Sequence, residues 1–167
     1  MKKPPAEIVA SLLAITTILL SLPPYNLPPW AIFISWAGTF AMGGPSRENL
    51  GRIWRVMPIG SFFAMIITLS FFKASHYFSG TSFIISQMVI LFVFNTALLL
   101  IARIKTFAFP PGMFFGFASY FATMFGGFGP IPKNPYAAFV AVVIMNAIGP
   151  AYAWINYNFA SHREHHA

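Results

Sequence analysis

The sequence predicts an all-α integral membrane protein in which six transmembrane helices form two inverted three-helix repeats. Composition is the first observation behind this fold class. Hydrophobic residues make up 57 % of the 167-residue chain and charged residues only 8 %, whereas a soluble domain carries roughly 25 % charged residues. So few charges cannot cover a water-facing surface, and we therefore expect a single membrane domain over residues 1–167.

An internal similarity is the second observation. The segment 28–44, PPWAIFISWAGTFAMGG, and the segment 110–127, PPGMFFGFASYFATMFGG, both begin with a proline pair and end with a glycine pair. Trp36–Ala41 aligns with 117–122. A chance likeness between two apolar helices rich in small residues is the competing explanation. Because the shared features recur in one order about half a chain apart, we favour duplication, with repeat 1 at about 6–74, repeat 2 at about 81–159 and a polar tail at 160–167.

Apolar runs define the predicted helices. They cover 6–22, 28–44, 56–72, 81–104, 110–127 and 137–159. A membrane-spanning helix needs about 20 apolar residues, and several of these runs are shorter. The short runs could be re-entrant or interfacial segments. We prefer six spans, in which local bilayer thinning or neighbouring helices accommodate the short ones.

Basic residues are distributed unevenly and give the third observation. With six spans and a cytoplasmic N-terminus, eight of the ten basic residues lie on the inner side: Lys2, Lys3, Arg47, Arg52, Arg55, Arg103, Lys105 and Arg163. Lys73 and Lys133 lie outside. This distribution follows the positive-inside rule, so we expect both termini in the cytoplasm. In a membrane protein the net charge of +7 reflects such loops, and we expect no nucleic-acid partner.

The repeated motifs resemble those of a family of small bacterial inner-membrane proteins that is known mainly as a domain of unknown function. The residues behind this resemblance are the Trp-Ala…Phe-Ala core at Trp36–Ala41 and the stretch from Pro111 to Ala122. The resemblance implies a bacterial inner-membrane location. It supplies no substrate and no binding residue.

Residues suited to catalysis or metal binding are scarce. Glu7, Glu48 and Glu164 lie near predicted span ends or in the tail, and the chain has no cysteine. The tail contains His162, His165 and His166, which we interpret as a polar end rather than a cation site. No charged residue lies well inside an apolar run, which argues against a proton-coupled pump. We therefore expect no cofactor, no metal and no enzymatic activity.

Neutral polar and aromatic side chains remain as candidates for contact with a solute. Asn95 and Asn146 lie near the middle of runs four and six, where an amide either joins helices or contacts a solute. Phe40 and Phe121 occupy matched places in the repeat, and each could be a gate in a pore or a packing residue. A pair of short helices bounded by glycine and proline is the best sequence pointer to a transport path, so we predict one along runs two and five. The candidate lining residues are Trp36, Thr39, Phe40, Asn95, Phe117, Ser119, Tyr120, Phe121 and Asn146.

The function that follows from the sequence is passive transport of a small, largely neutral solute across the inner membrane. The solutes to screen are amides, small weak acids in neutral form, ammonia and water. The alternative is a non-catalytic structural or accessory subunit of a larger membrane complex. Expected partners are membrane lipids and either further copies of the chain or other subunits of a complex.

Overall fold

The computed structural model describes residues 3–161, and six α-helices make up most of that part of the chain. They are α1 (Ala6–Ser21), α2 (Pro29–Ala41), α3 (Arg47–Ala74), α4 (Gly80–Ile101), α5 (Pro110–Gly126) and α6 (Pro135–Phe159). A short 3-10 turn, Lys105–Phe107, connects α4 to α5. Lys2, Arg163, Glu164 and the three histidines of the tail lie outside the described residues.

Three helices, α3, α4 and α6, are long and apolar enough to cross a membrane, and α1 is a shorter apolar helix. This composition indicates a membrane protein. The helices differ greatly in how much the rest of the fold covers them. In α4 the only buried residue is Leu98, whereas α3 and α6 are buried along much of their length. Helices α3 and α6 therefore form the centre of the fold.

Local chemistry sets the ends of the two short helices as predicted. Proline occupies the first turn of both α2 and α5, where its missing N–H costs no helical hydrogen bond. Gly43 and Gly44 follow α2 with φ of 95° and 98°, and Gly127 caps α5 with φ of 73°. Positive φ is accessible to glycine without the steric penalty that a Cβ imposes.

The start of α3 differs from the prediction. The apolar run at 56–72 predicts a later start, but the helix already begins at Arg47. Ser46 caps it by accepting a hydrogen bond from the backbone N–H of Asn49 at 3.1 Å, and Glu48 forms an ion pair with Arg52 at 2.7 Å. Hydropathy marks only the apolar part of a helix, and it therefore missed these capped and charged first turns.

Two helix pairs have the most extensive contacts, α3 with α5 and α2 with α6. Helix α3 also packs against α6 and α4, and α1 packs against α6. At one end of the bundle the two described chain ends meet, because the Ser161 N–H donates to the carbonyl of Pro4 at 2.8 Å. Elsewhere the α1–α2 and α5–α6 loops meet, where the Gly129 N–H donates to the carbonyl of Asn26 at 2.9 Å.

Candidate functional site

Close approach of helix backbones brings the central elements of the fold together. A methyl group added at Gly60 of α3 would overlap the carbonyl oxygen of Met113 in α5, and one added at Gly116 of α5 would overlap that of Met57 in α3. Ser61 joins the same two helices by donating to the carbonyl of Gly116 at 2.9 Å. This contact fixes the face of α3 that carries Met57.

The α6–α2 pair contains a similar contact. A methyl group at Gly149 of α6 would overlap the carbonyl oxygen of Ile32 and the hydroxyl of Ser35, both in α2. Ser35 itself is buried and its hydroxyl donates to carbonyls of its own helix. Each long central helix thus contacts the backbone of a short helix through a glycine, and these two contacts hold α3 and α6 in place.

A cavity of about 300 Å³ lies between α3 and α6. Its walls are largely apolar, and the described residues that line it are all uncharged. Helix α3 contributes Ile53, Trp54, Met57 and Pro58, and helix α6 contributes Val143, Asn146 and Ala147. The volume is at the lower end of the range of about 300–1,000 Å³ that is usual for small-molecule sites.

Asn146 is the polar side chain of this cavity. It is only 3 % exposed, and neither its Oδ1 nor its Nδ2 atom finds a hydrogen-bond partner among residues 3–161. A buried polar group without a partner costs about 1–3 kcal/mol. A polar solute or water that reaches the cavity could recover this free energy, so the amide is suited to binding.

Proline lies inside both helices that form the cavity, Pro58 in α3 and Pro150 in α6. Because proline has no N–H, the carbonyl four residues earlier loses its usual helical donor. These carbonyls belong to Trp54 and Asn146, which both line the cavity. Each of the two helices thus has, at a residue of the cavity wall, one carbonyl that lacks its usual helical donor.

Trp54 connects the two walls of the cavity. Its indole N–H donates to the carbonyl of Ala147 in α6 at 3.0 Å, while its side chain remains 44 % exposed. The hydrogen bond gives this half-exposed side chain a structural role beside the cavity.

The predicted lining residues lie in several places. Asn146 lines the α3–α6 cavity, whereas Trp36 and Phe40 line an open groove beside Ala10 and Asn156. Phe40 is 40 % exposed. Trp36 is mostly buried and makes an edge-to-face contact with Tyr152, with 5.6 Å between the ring centroids. The structure thus separates these residues instead of gathering them around one path.

The predicted residues of α5 are mainly involved in packing. Tyr120 is fully buried in a cluster with Met124, Ala138 and Val142, and its hydroxyl donates to the carbonyl of Pro135 at 3.2 Å. Phe121 stacks on Phe125 with 5.6 Å between the ring centroids. Its ring centroid lies 4.7 Å from that of Phe117.

The remaining candidates lie on three different helices. Thr39 of α2 is buried and donates to the carbonyl of Ser35 at 2.9 Å. Ser119 of α5 is buried, and its hydroxyl has no partner within the described part of the chain. Asn95 is half-buried on the peripheral helix α4.

Sequence reasoning missed most of the cavity. Met57 carries no signal, and a helix that started with the apolar run at residue 56 would have Pro58 in its first turn, whereas Pro58 lies well inside α3. An available signal was the pair of prolines within long apolar helices, one of them four residues after Asn146. Among residues 3–161, no group of three or more His, Cys, Asp or Glu could hold a metal ion.

Comparison with known proteins identifies the family. The family described as "Protein of unknown function (DUF1097)" matches residues 7–161, which is nearly the whole chain. The chain therefore belongs to this family, and the resemblance to a family of unknown function is confirmed. No curated protein and no solved structure matches it.

Proposed function

We propose that this member of the DUF1097 family is a channel or facilitator for a small, largely neutral solute, and that the solute passes through the α3–α6 cavity. One observation carries the proposal: Asn146, a buried amide without a partner among the described residues, lines a cavity between two helices of membrane-spanning length. In a membrane interior an ordinary structural amide is expected to bond to a neighbouring helix. An unpaired one beside a cavity favours contact with a solute.

We also propose that the fold consists of two inverted three-helix repeats, α1–α3 and α4–α6. Exchanging the halves converts the α3–α5 pair into the α6–α2 pair, and these are the two most extensive contacts. Side-chain N-caps support the same exchange, since Ser46 caps α3 and Asn134 caps α6. In this arrangement Met57 and Asn146 are equivalent residues on opposite walls of the cavity, close to the axis that would relate the halves.

The proposed topology has six crossings of the bacterial inner membrane with both termini in the cytoplasm. The contact between Ser161 and Pro4 supports an even number of crossings, because it brings the two chain ends together. The distribution of basic residues supports the cytoplasmic side. Helices α1, α2 and α5 are short for full crossings, and a locally thinned bilayer would accommodate them.

The uncharged lining of the cavity favours a neutral solute. A small ion would lose its hydration shell without gaining a countercharge, and ion filters meet this need with rings of carbonyls or charged side chains. The Asn146 amide and two carbonyls form no such ring. A neutral polar solute loses less hydration free energy and recovers its hydrogen bonds at Asn146.

A second candidate function is that of an accessory subunit, and the surface of α4 favours it. This helix is long enough to span a membrane, yet Leu98 is its only buried residue and most of its exposed side chains are large and apolar. Such a surface suits either lipid or another polypeptide. Purification separates these cases, because stable co-purification with other polypeptides supports the subunit, and a homo-oligomer or monomer that carries flux supports the channel.

A solute-flux screen in proteoliposomes tests the proposed function. We expect wild-type vesicles to take up a neutral amide, weak acid or ammonia faster than empty vesicles, while remaining tight to Na⁺ and K⁺. Asn146→Leu should abolish this uptake, and Met57→Leu, on the opposite wall, should leave most of it. Uptake that is the same with and without protein for every solute, or unchanged by Asn146→Leu, would contradict the proposal.

A further inference from the structure

We infer that the α3–α6 cavity binds a solute carrying a primary amide or urea group. The inference rests on the proposed function because it names the solute class of the same cavity. It can nevertheless be measured separately, since binding at equilibrium does not require passage across a membrane.

Hydrogen-bonding capacity is the basis of this inference. The residues of the cavity wall carry three acceptors, namely Asn146 Oδ1 and the backbone carbonyls of Asn146 and Trp54, whose usual helical donors the two prolines remove. The wall also carries one donor group, the Asn146 Nδ2 amide. A primary amide presents an NH₂ with two donors next to one carbonyl acceptor. Urea presents two such NH₂ groups, so both solutes match a site that is rich in acceptors and has one donor group.

Other small solutes match this site less well. A carboxylate only accepts hydrogen bonds, and no lysine or arginine lines the described cavity to neutralise it. A hard divalent cation needs about six or more oxygen ligands, and the three acceptors named above are too few. An aliphatic solute would leave the Asn146 amide unpaired and would gain nothing from it.

The size and the walls of the cavity fit a solute of a few heavy atoms. About 300 Å³ is far more than the roughly 30 Å³ that one water occupies in the liquid. Ile53, Met57 and Val143 line it with apolar groups, which can contact a short alkyl chain. Acetamide, with one methyl group and one amide, matches both the polar and the apolar parts.

Equilibrium dialysis of radiolabelled acetamide and urea against the purified full-length chain in detergent tests the inference. We expect saturable binding of both. N,N-dimethylacetamide keeps the carbonyl but has no N–H, and acetate has no N–H and carries a charge, so neither should compete. Equal competition by N,N-dimethylacetamide, or no saturable binding of acetamide and urea, would overturn the inference.

Proline variants make the test specific to the backbone acceptors. Pro58→Ala and Pro150→Ala each restore an N–H that bonds within the helix and occupies one acceptor, so each should weaken acetamide binding about fivefold, as expected for one hydrogen bond. Their melting temperatures should stay level or rise, which separates lost binding from lost folding. Pro111→Ala is the matched control, because Pro111 lies in the first turn of α5. Unchanged affinity in both variants would contradict the role of these carbonyls.

The binding and flux experiments separate the two proposals. Asn146→Leu should abolish binding as well as flux. Saturable amide binding by the wild type without any flux would overturn the channel and leave the binding site standing. Flux of other neutral solutes without amide binding would overturn the amide site and leave the channel standing.

Discussion

The two closest helix contacts, α3 with α5 and α6 with α2, share a backbone arrangement but differ in their side chains. In both, a glycine of the long helix lies against a carbonyl of the short helix, Gly60 against Met113 and Gly149 against Ile32. On the short helix, however, the first contact has Gly116 where the second has Ser35. The comparison teaches that both helix contacts keep the close backbone packing, whereas only the α6–α2 contact has a polar side chain, Ser35, at this position.

The same contrast applies to the cavity between α3 and α6. Met57 of α3 and Asn146 of α6 both line the cavity and are equivalent residues in the proposed repeat, and only Asn146 is polar. A binding site on the axis of an inverted repeat need not be symmetric, because each half can contribute different chemistry. Here α6 supplies the amide, while α3 supplies an apolar wall and the Trp54 indole that bonds to Ala147.

Gly60→Ala should have the largest effect on this comparison. The added methyl group meets the backbone of α5, which cannot move without shifting the whole helix. Overpacking of this kind typically costs about 1–3 kcal/mol, so we expect a clear fall in melting temperature. Tryptophan fluorescence of the purified protein during heating measures it.

Gly51→Ala is the matched control for Gly60→Ala. Gly51 belongs to the same helix, but a Cβ there would meet no atom within 4 Å. Replacing a helical glycine by alanine, where the Cβ meets nothing, typically stabilises by about 0.5–1 kcal/mol. Equal destabilisation by both variants would show that the α3–α5 contact is not as close as described.

Exchanging the residues that differ between the two contacts sharpens the comparison further. Gly116→Ser should destabilise strongly, because its Cβ would overlap the carbonyl of Met57. Ser35→Gly removes a side chain whose hydroxyl bonds only within α2, so it should cost little more than the helix-propensity difference of about 0.5 kcal/mol. Melting temperatures of the two variants should therefore differ widely. A similar fall in melting temperature for both variants would mean that the helix backbones are equally far apart in the two contacts.

The sequence predicted those features of the fold that depend on local chemistry. Proline at the starts of α2 and α5 and glycine after their ends define these helices without reference to the rest of the chain. The early start of α3 was missed because Ser46 and Glu48 are polar, and the interpretation followed hydropathy alone.

The candidate site was predictable only in part, for a physical reason. Asn146 was found because an amide within an apolar helix needs a partner wherever the helix lies. The cavity depends on how α3 and α6 pack, and that arrangement rests on Gly60, Gly116 and Gly149, whose contacts lie far apart in sequence. The path predicted along α2 and α5 came from their short length, their proline and glycine boundaries and their matched places in the repeat, without knowledge of which helices they pack against.

The inverted orientation of the two halves is the central claim, and single-cysteine labelling tests it most directly. The chain has no native cysteine, so a single cysteine can mark the N-terminal end of each of two equivalent helices. Glu48→Cys marks the start of α3, and Ile131→Cys lies just before the start of α6. On intact cells with the outer membrane made permeable, we expect an impermeant maleimide to label Ile131→Cys at once, and Glu48→Cys only after the inner membrane is opened. Labelling of both positions from the same side of the inner membrane would contradict the inverted repeat.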